Sequence, residues 1–255
     1  MEKNKYLNIN RLYLLTRRHI LSNTKGWLIA FGAVSGALLV ISLLTAYFNP
    51  ENLSNLAPTY ITIMFIGGYI FTSNIFSELH DTRKATHYLT VPVSTTERLF
   101  SAWLLTAIVF PALSMLLITL IILIANLLMN LTLNFEPFQQ VFFNGGFSVF
   151  RSYLITQSIF LLGAVYFRKN NFLKTVLAIF VFSMVVMALI STFGYLFLSS
   201  LSEGGGVTIE GDSMTVQLES LFLERIPNVA RVLYYYLSVP FFLVVSWFTL
   251  KERQV

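Results

Sequence analysis

The chain has 255 residues, a formal net charge of +5, 56% hydrophobic residues and only 11% charged ones. Soluble domains carry about a quarter charged residues, so this composition cannot supply a water-facing surface, and the apolar residues gather instead into runs of about 20, each enough to cross a bilayer core. Cysteine is absent, which excludes disulfides, thiolate nucleophiles and sulfur-ligated metal centres.

At the N-terminus, Ile9, Leu12, Tyr13, Thr16 and Ile20 fall on one helical face, while Arg11, Arg18 and Lys25 recur every seven residues on the other. The pattern predicts an interfacial helix over 8–25, with Arg11, Arg18 and Lys25 at the membrane surface. A signal peptide would also place basic residues before an apolar run. The first run is too long for a signal h-region, however, and no small-x-small cleavage site stands near Ala46.

Six spans follow, at Trp27–Phe48, Pro58–Phe76, Leu99–Leu128, Val149–Phe167, Thr175–Leu198 and Val232–Leu250, which predicts an all-α integral membrane fold. The only charged residue within them is Arg151, near the outer end of the fourth, from where it can snorkel to headgroups. Asn144-Gly145-Gly146 breaks the chain before that span, and without it five helices would remain.

Lys and Arg resist translocation, so their distribution sets orientation. Fourteen lie on one side: Lys3, Lys5, Arg11, Arg17, Arg18, Lys25, Arg83, Lys84, Arg98, Arg168, Lys169, Lys174, Lys251 and Arg253. The other side holds three, Arg151, Arg225 and Arg231. The alternation predicts a multi-pass protein of the cytoplasmic (inner) membrane with both termini cytoplasmic. It also makes the positive charge topological, not a nucleic-acid footprint.

Two polar stretches stand outside the spans. In the cytoplasmic loop 78–98 the second helix is expected to continue past Glu78, Pro92 to interrupt it, and Ser94-Thr95-Thr96-Glu97 to form a capping box that starts the next helix. The outer loop 199–228 contains Gly204-Gly205-Gly206, a possible hairpin turn at Gly211-Asp212, and an amphipathic stretch Val216–Arg225 ended near Pro227. A single transmembrane domain over 1–255 accounts for the chain.

Chemistry is sparse. His19, His80 and His87 lie outside the spans with no i, i+4 pair or third ligand, so they read as solvated polar residues and no metal is expected. No Gly-x-Ser-x-Gly, His-Glu-x-x-His or phosphate-loop motif occurs, and the span centres carry no ionisable group, so the chain is not expected to be an enzyme or to bind a cofactor directly. Asn74, Asn126 and Gln157 are read as interhelical hydrogen-bonding residues and Pro111 as a kink.

The stretch Phe76-Ser77-Glu78-Leu79, then Tyr88-Leu89-Thr90-Val91-Pro92-Val93-Ser94 and Glu97-Arg98-Leu99, resembles the segment after the second span of exporter-type (type 2) ABC transporter permeases. The residue match covers about 20 positions, while the order of an amphipathic helix, six spans and a large outer segment before the sixth covers the whole chain. Members commonly have a glycine soon after the Glu and a Lys beginning the third span, where this chain has Asp81-Thr82-Arg83 and Ser101-Ala102-Trp103. The resemblance implies a bacterial inner-membrane permease subunit paired with a second permease subunit, as a homodimer or heterodimer. It implies a separate ABC ATPase, carrying ATP and magnesium, docked on Glu78, Asp81, Arg83, Lys84, His87, Tyr88, Leu89 and Pro92. A non-transporting membrane scaffold or sensor is the alternative.

Overall fold

A computed structural model describes residues 9–21, 24–49, 56–80, 93–133, 146–203 and 226–253, and among these every regular element is helical. In chain order they are α1 (Ile9–Leu21), α2 (Thr24–Phe48), α3 (Leu56–Asn74), the single turn α4 (Ser77–His80), α5 (Thr95–Leu104), α6 (Phe110–Leu133), α7 (Gly146–Tyr166), α8 (Asn171–Glu203) and α9 (Ile226–Glu252). A π-helical turn, Leu105–Val109, joins α5 to α6.

Five stretches are long and apolar enough to cross a membrane: Phe31–Phe48, Thr95–Leu128, Phe147–Tyr166, Asn171–Leu196 and Arg231–Glu252. Their side chains are compatible with a bilayer as solvent. Leu177, Phe182, Met187 and Phe193 on α8, and Tyr236, Leu237 and Phe241 on α9, are exposed, an arrangement water would penalise and lipid accepts.

α7 is the central helix, packed against α9, α3 and α8. Its Tyr153, Ile155, Leu161, Ala164 and Val165 are buried. The fourth span, the one the sequence marks as weakest, is thus a 21-residue helix. Arg151 is accommodated by stacking, its guanidinium carbon 3.7 Å from the centre of the Tyr235 ring on α9.

Two apolar clusters hold the bundle. Leu38, Leu56, Tyr60, Met64, Ile118, Ile121 and Ile122 join α2, α3 and α6. At the other end Ile75, Phe76, Leu99, Ala102, Leu105, Leu161, Ala164, Val165 and Leu250 join α3, α5, α7 and α9.

Several expectations need correction. The second helix does not run on past Glu78: it stops at Asn74, and Ile75 and Phe76 turn inward to become core residues before α4 begins. The turn is closed by Ile75 N–H to Thr72 O at 3.2 Å and Leu79 N–H to Phe76 O at 3.0 Å, the tighter three-residue bonding of a helix end. Lys25, expected on the helix over 8–25, lies in the first turn of α2, because α1 ends at Leu21. The stretch 199–228, expected as an outer loop, begins and ends within helices, since α8 runs to Glu203 and α9 starts at Ile226. Pro227 therefore opens α9, where its missing N–H costs nothing. The stretch Val216–Arg225 and the Gly211-Asp212 turn lie outside the described residues.

Candidate functional site

The basic residues of α1, the α3–α4 break, the start of α5, the α7–α8 turn and the end of α9 meet at one end of the bundle. Helix ends explain how. The last carbonyls of a helix have no partner within it and need donors from elsewhere, and here α3 and α7 end side by side. His80 Nε2 donates to Ala164 O at 2.8 Å, and Asn171 Nδ2 donates to Ser73 O at 3.2 Å. Arg253, just past α9, donates to Tyr166 O through Nη2 and to His80 Nδ1 through Nη1, the latter at 3.2 Å. A carbonyl can only accept and a guanidinium can only donate, so these contacts fix His80 as the neutral imidazole protonated on Nε2. Burial lowers the His80 pKa from its usual value, and the charges of Arg253 and Arg168 lower it further against the opposing bond to Ala164. His80 is thus a structural tie, not the solvated residue its sequence context suggests.

The α7–α8 turn that permits this runs through Arg168–Asn170, with Asn170 at φ 52°, a left-handed conformation that asparagine tolerates better than most side chains.

At the head of α5 the capping box forms as expected. Ser94 Oγ accepts from Glu97 N–H at 3.2 Å, and Glu97 Oε2 accepts from Ser94 N–H at 3.0 Å. Glu97 and Arg98 are buried, so Arg98 belongs to the protein interior. α1 packs on α5, with Leu15 its buried residue among the described side chains and Arg11 and Arg18 exposed. The inward face therefore centres on Leu12, Leu15 and Thr16, leaving Tyr13 outside. Arg18 Nη2 stands 3.6 Å from Glu78 Oε2, linking α1 to α4.

Of the predicted docking residues, the structure places Glu78 on this face. Asp81, Arg83, Lys84, His87, Tyr88, Leu89 and Pro92 lie outside the described residues.

A second polar cluster lies within the bundle, and Gln157 and Pro111 are its partial signals in the sequence. In the π turn Phe110 N–H bonds to Leu105 O, and Pro111 has no N–H to give. The carbonyl of Thr106 is left without a donor from its own helix. The buried Tyr153 hydroxyl supplies one from α7 at 2.8 Å, and Gln157 Nε2 donates to Thr106 Oγ1 at 2.5 Å. Gly68 lets Tyr153 through: a Cβ there would stand 2.5 Å from the hydroxyl oxygen. Gln157 thus bonds between helices, whereas Asn74 Nδ2 bonds to Ile70 O of its own helix at 3.0 Å.

Among the described residues no group of three or more His, Asp or Glu side chains is placed to hold a metal ion. Comparison with protein-family models, curated proteins and solved structures finds no match for the chain.

Proposed function

We propose that the chain is the membrane-spanning permease subunit of an ATP-driven ABC exporter, coupling a separate ATPase to substrate translocation. The observation that carries this reading is how the family-like segment is rooted. One side of it, Glu78 on α4, follows the core residues Phe76 and precedes Leu79, while the other side enters α5 through the Ser94–Glu97 capping box and the buried Leu99. Both roots belong to the cluster that also holds α7 and α9. A force applied between Asp81 and Pro92 would therefore act on several helices at once, as rigid-body motion requires, whereas a topological connector has no need of such anchorage.

The reading includes α3 as a sixth span. Its 19 residues extend about 28 Å at 1.5 Å per residue, close to the bilayer core of about 30 Å. Arg11, Arg17, Arg18, Arg168, Lys169 and Arg253 gather at one end and Arg151 and Arg231 near the other, which supports an inner-membrane orientation with both termini cytoplasmic. The long apolar surface of α8 suits lipid together with a second permease subunit.

Purification in mild detergent from the native host tests the assignment. An ABC ATPase should copurify in stoichiometric amount. Recovery of the chain with stable partners of which none hydrolyses ATP would favour the scaffold or sensor reading instead.

A further inference from the structure

Between α2, α3 and α6 lies a half-open cleft of about 570 Å³, within the usual range for ligand sites. At its far end α2 and α3 are joined by a hydrogen bond between Ser42 and the Tyr60 hydroxyl, and Leu38 and Met64 pack there against Ile118 and Ile121. From that closure the cleft runs toward the basic end, walled by Phe31, Val34, Gly67, Phe71 and Phe110, with no charged residue among the described residues of its lining. Along α3 it extends from Ile63 to Asn74, about 16 Å of helix.

The cleft ends at Asn74 and Ser77, and these two residues also line a second pocket, of about 400 Å³. The character changes there. Arg168, Lys169, Asn171 and His80 are among its other walls, and no acidic residue contributes among the described residues. His80 is neutral, with both nitrogens engaged by Ala164 and Arg253, so the charge of this mouth comes from the exposed Arg168 and Lys169. An uncharged slot that shares Asn74 and Ser77 with a doubly cationic mouth is complementary to a long apolar chain that carries one anionic head.

We propose that this composite site holds one anionic phospholipid of the surrounding bilayer, with an acyl chain in the α2–α3–α6 cleft and the headgroup phosphate at Arg168 and Lys169. The inference rests on the chain being membrane-embedded with its basic end at a leaflet surface, and not on the ATPase assignment.

Native mass spectrometry of the full chain in detergent, titrated with phosphatidylglycerol or phosphatidylcholine, tests it. Wild type should retain one phosphatidylglycerol about tenfold to thirtyfold more tightly than phosphatidylcholine, the preference expected of two basic side chains at a membrane surface. The exposed pair R168A/K169A should abolish the preference, and Val34→Trp, which fills the slot from an exposed position, should weaken retention of both lipids. Phe182→Ala on the outer face of α8 should change neither. Equal binding of the two lipids by wild type, a preference that survives R168A/K169A, or retention unaffected by Val34→Trp would overturn the site. A chain that stays monodisperse in water without detergent would instead overturn the membrane reading on which the proposal rests.

Discussion

Tyr153 and His80 do the same physical work at different depths: each brings a donor to a backbone carbonyl that its own helix leaves unpaired. For Tyr153 the acceptor is Thr106 O, orphaned by the π turn and Pro111 together. Tyr153→Phe keeps the ring and removes the donor, so a buried carbonyl loses its partner at about 1–3 kcal/mol. A fall of a few degrees in the melting temperature of the detergent-purified chain is the expected readout. For His80 the consequence is a pH dependence. Its pKa is lowered in the folded chain, chiefly by burial, so at pH values below about 6.5 the unfolded state takes up a proton that the folded state resists. The contribution to stability is therefore complete above about pH 6.5 and is lost as pH falls toward the folded pKa. Thermal melts between pH 7.5 and 5 should show that decline, and His80→Gln should flatten it. A decline of equal size in the variant would assign the effect to other groups. Sequence reading reached the Ser94–Glu97 capping box because its partners are three residues apart. It missed the His80 tie because Ala164 lies 84 positions away, and only the meeting of two helix ends brings them together.

At the scale of elements, the sequence pattern located five of its six expected spans to within about four residues of a helix long and apolar enough to cross a membrane, because each is an apolar run bounded by polar turns. It misjudged what happens where a helix re-enters the core. Ile75 and Phe76 look like the continuation of a helix, yet they terminate α3 by packing against Leu99 and Leu161. α1 carries an amphipathic signature, and the sequence pattern leaves out Leu15, the buried residue through which α1 packs on α5. This distinguishes two kinds of anchor. The Arg18–Glu78 pair is 3.6 Å apart and partly exposed, so it contributes at most about 1 kcal/mol. Burial of Leu15 contributes about 2 kcal/mol or more by comparison with large-to-small core changes. Since the chain has no native cysteine, a spin label at Arg11→Cys reports α1 alone. Leu15→Ala should raise its mobility clearly and Arg18→Ala only slightly. The reverse order would mean that charge, not packing, holds α1 in place.

The whole molecule can be understood as a helical bundle whose two ends differ in chemistry. One end is closed by apolar contacts among α2, α3 and α6, and the other adds to its own apolar cluster polar side chains that cap the ends of α3 and α7 and tie in α9. Composition made the membrane class legible, since no soluble surface can be assembled from 11% charged residues. Function is less legible, because the proposed reading places catalysis in another subunit and leaves only a docking segment in this sequence. The most direct test of that assignment is ATP hydrolysis by the chain reconstituted with its copurified ATPase, compared with a variant carrying Arg83→Glu, Lys84→Glu and Leu89→Asp. The variant should insert and remain monodisperse, yet lose the ATPase subunit or its stimulation, because charge reversal and a carboxylate placed in an apolar contact both oppose docking. Full ATPase binding and turnover in the triple variant would contradict the assignment of residues 78–98 as the coupling segment.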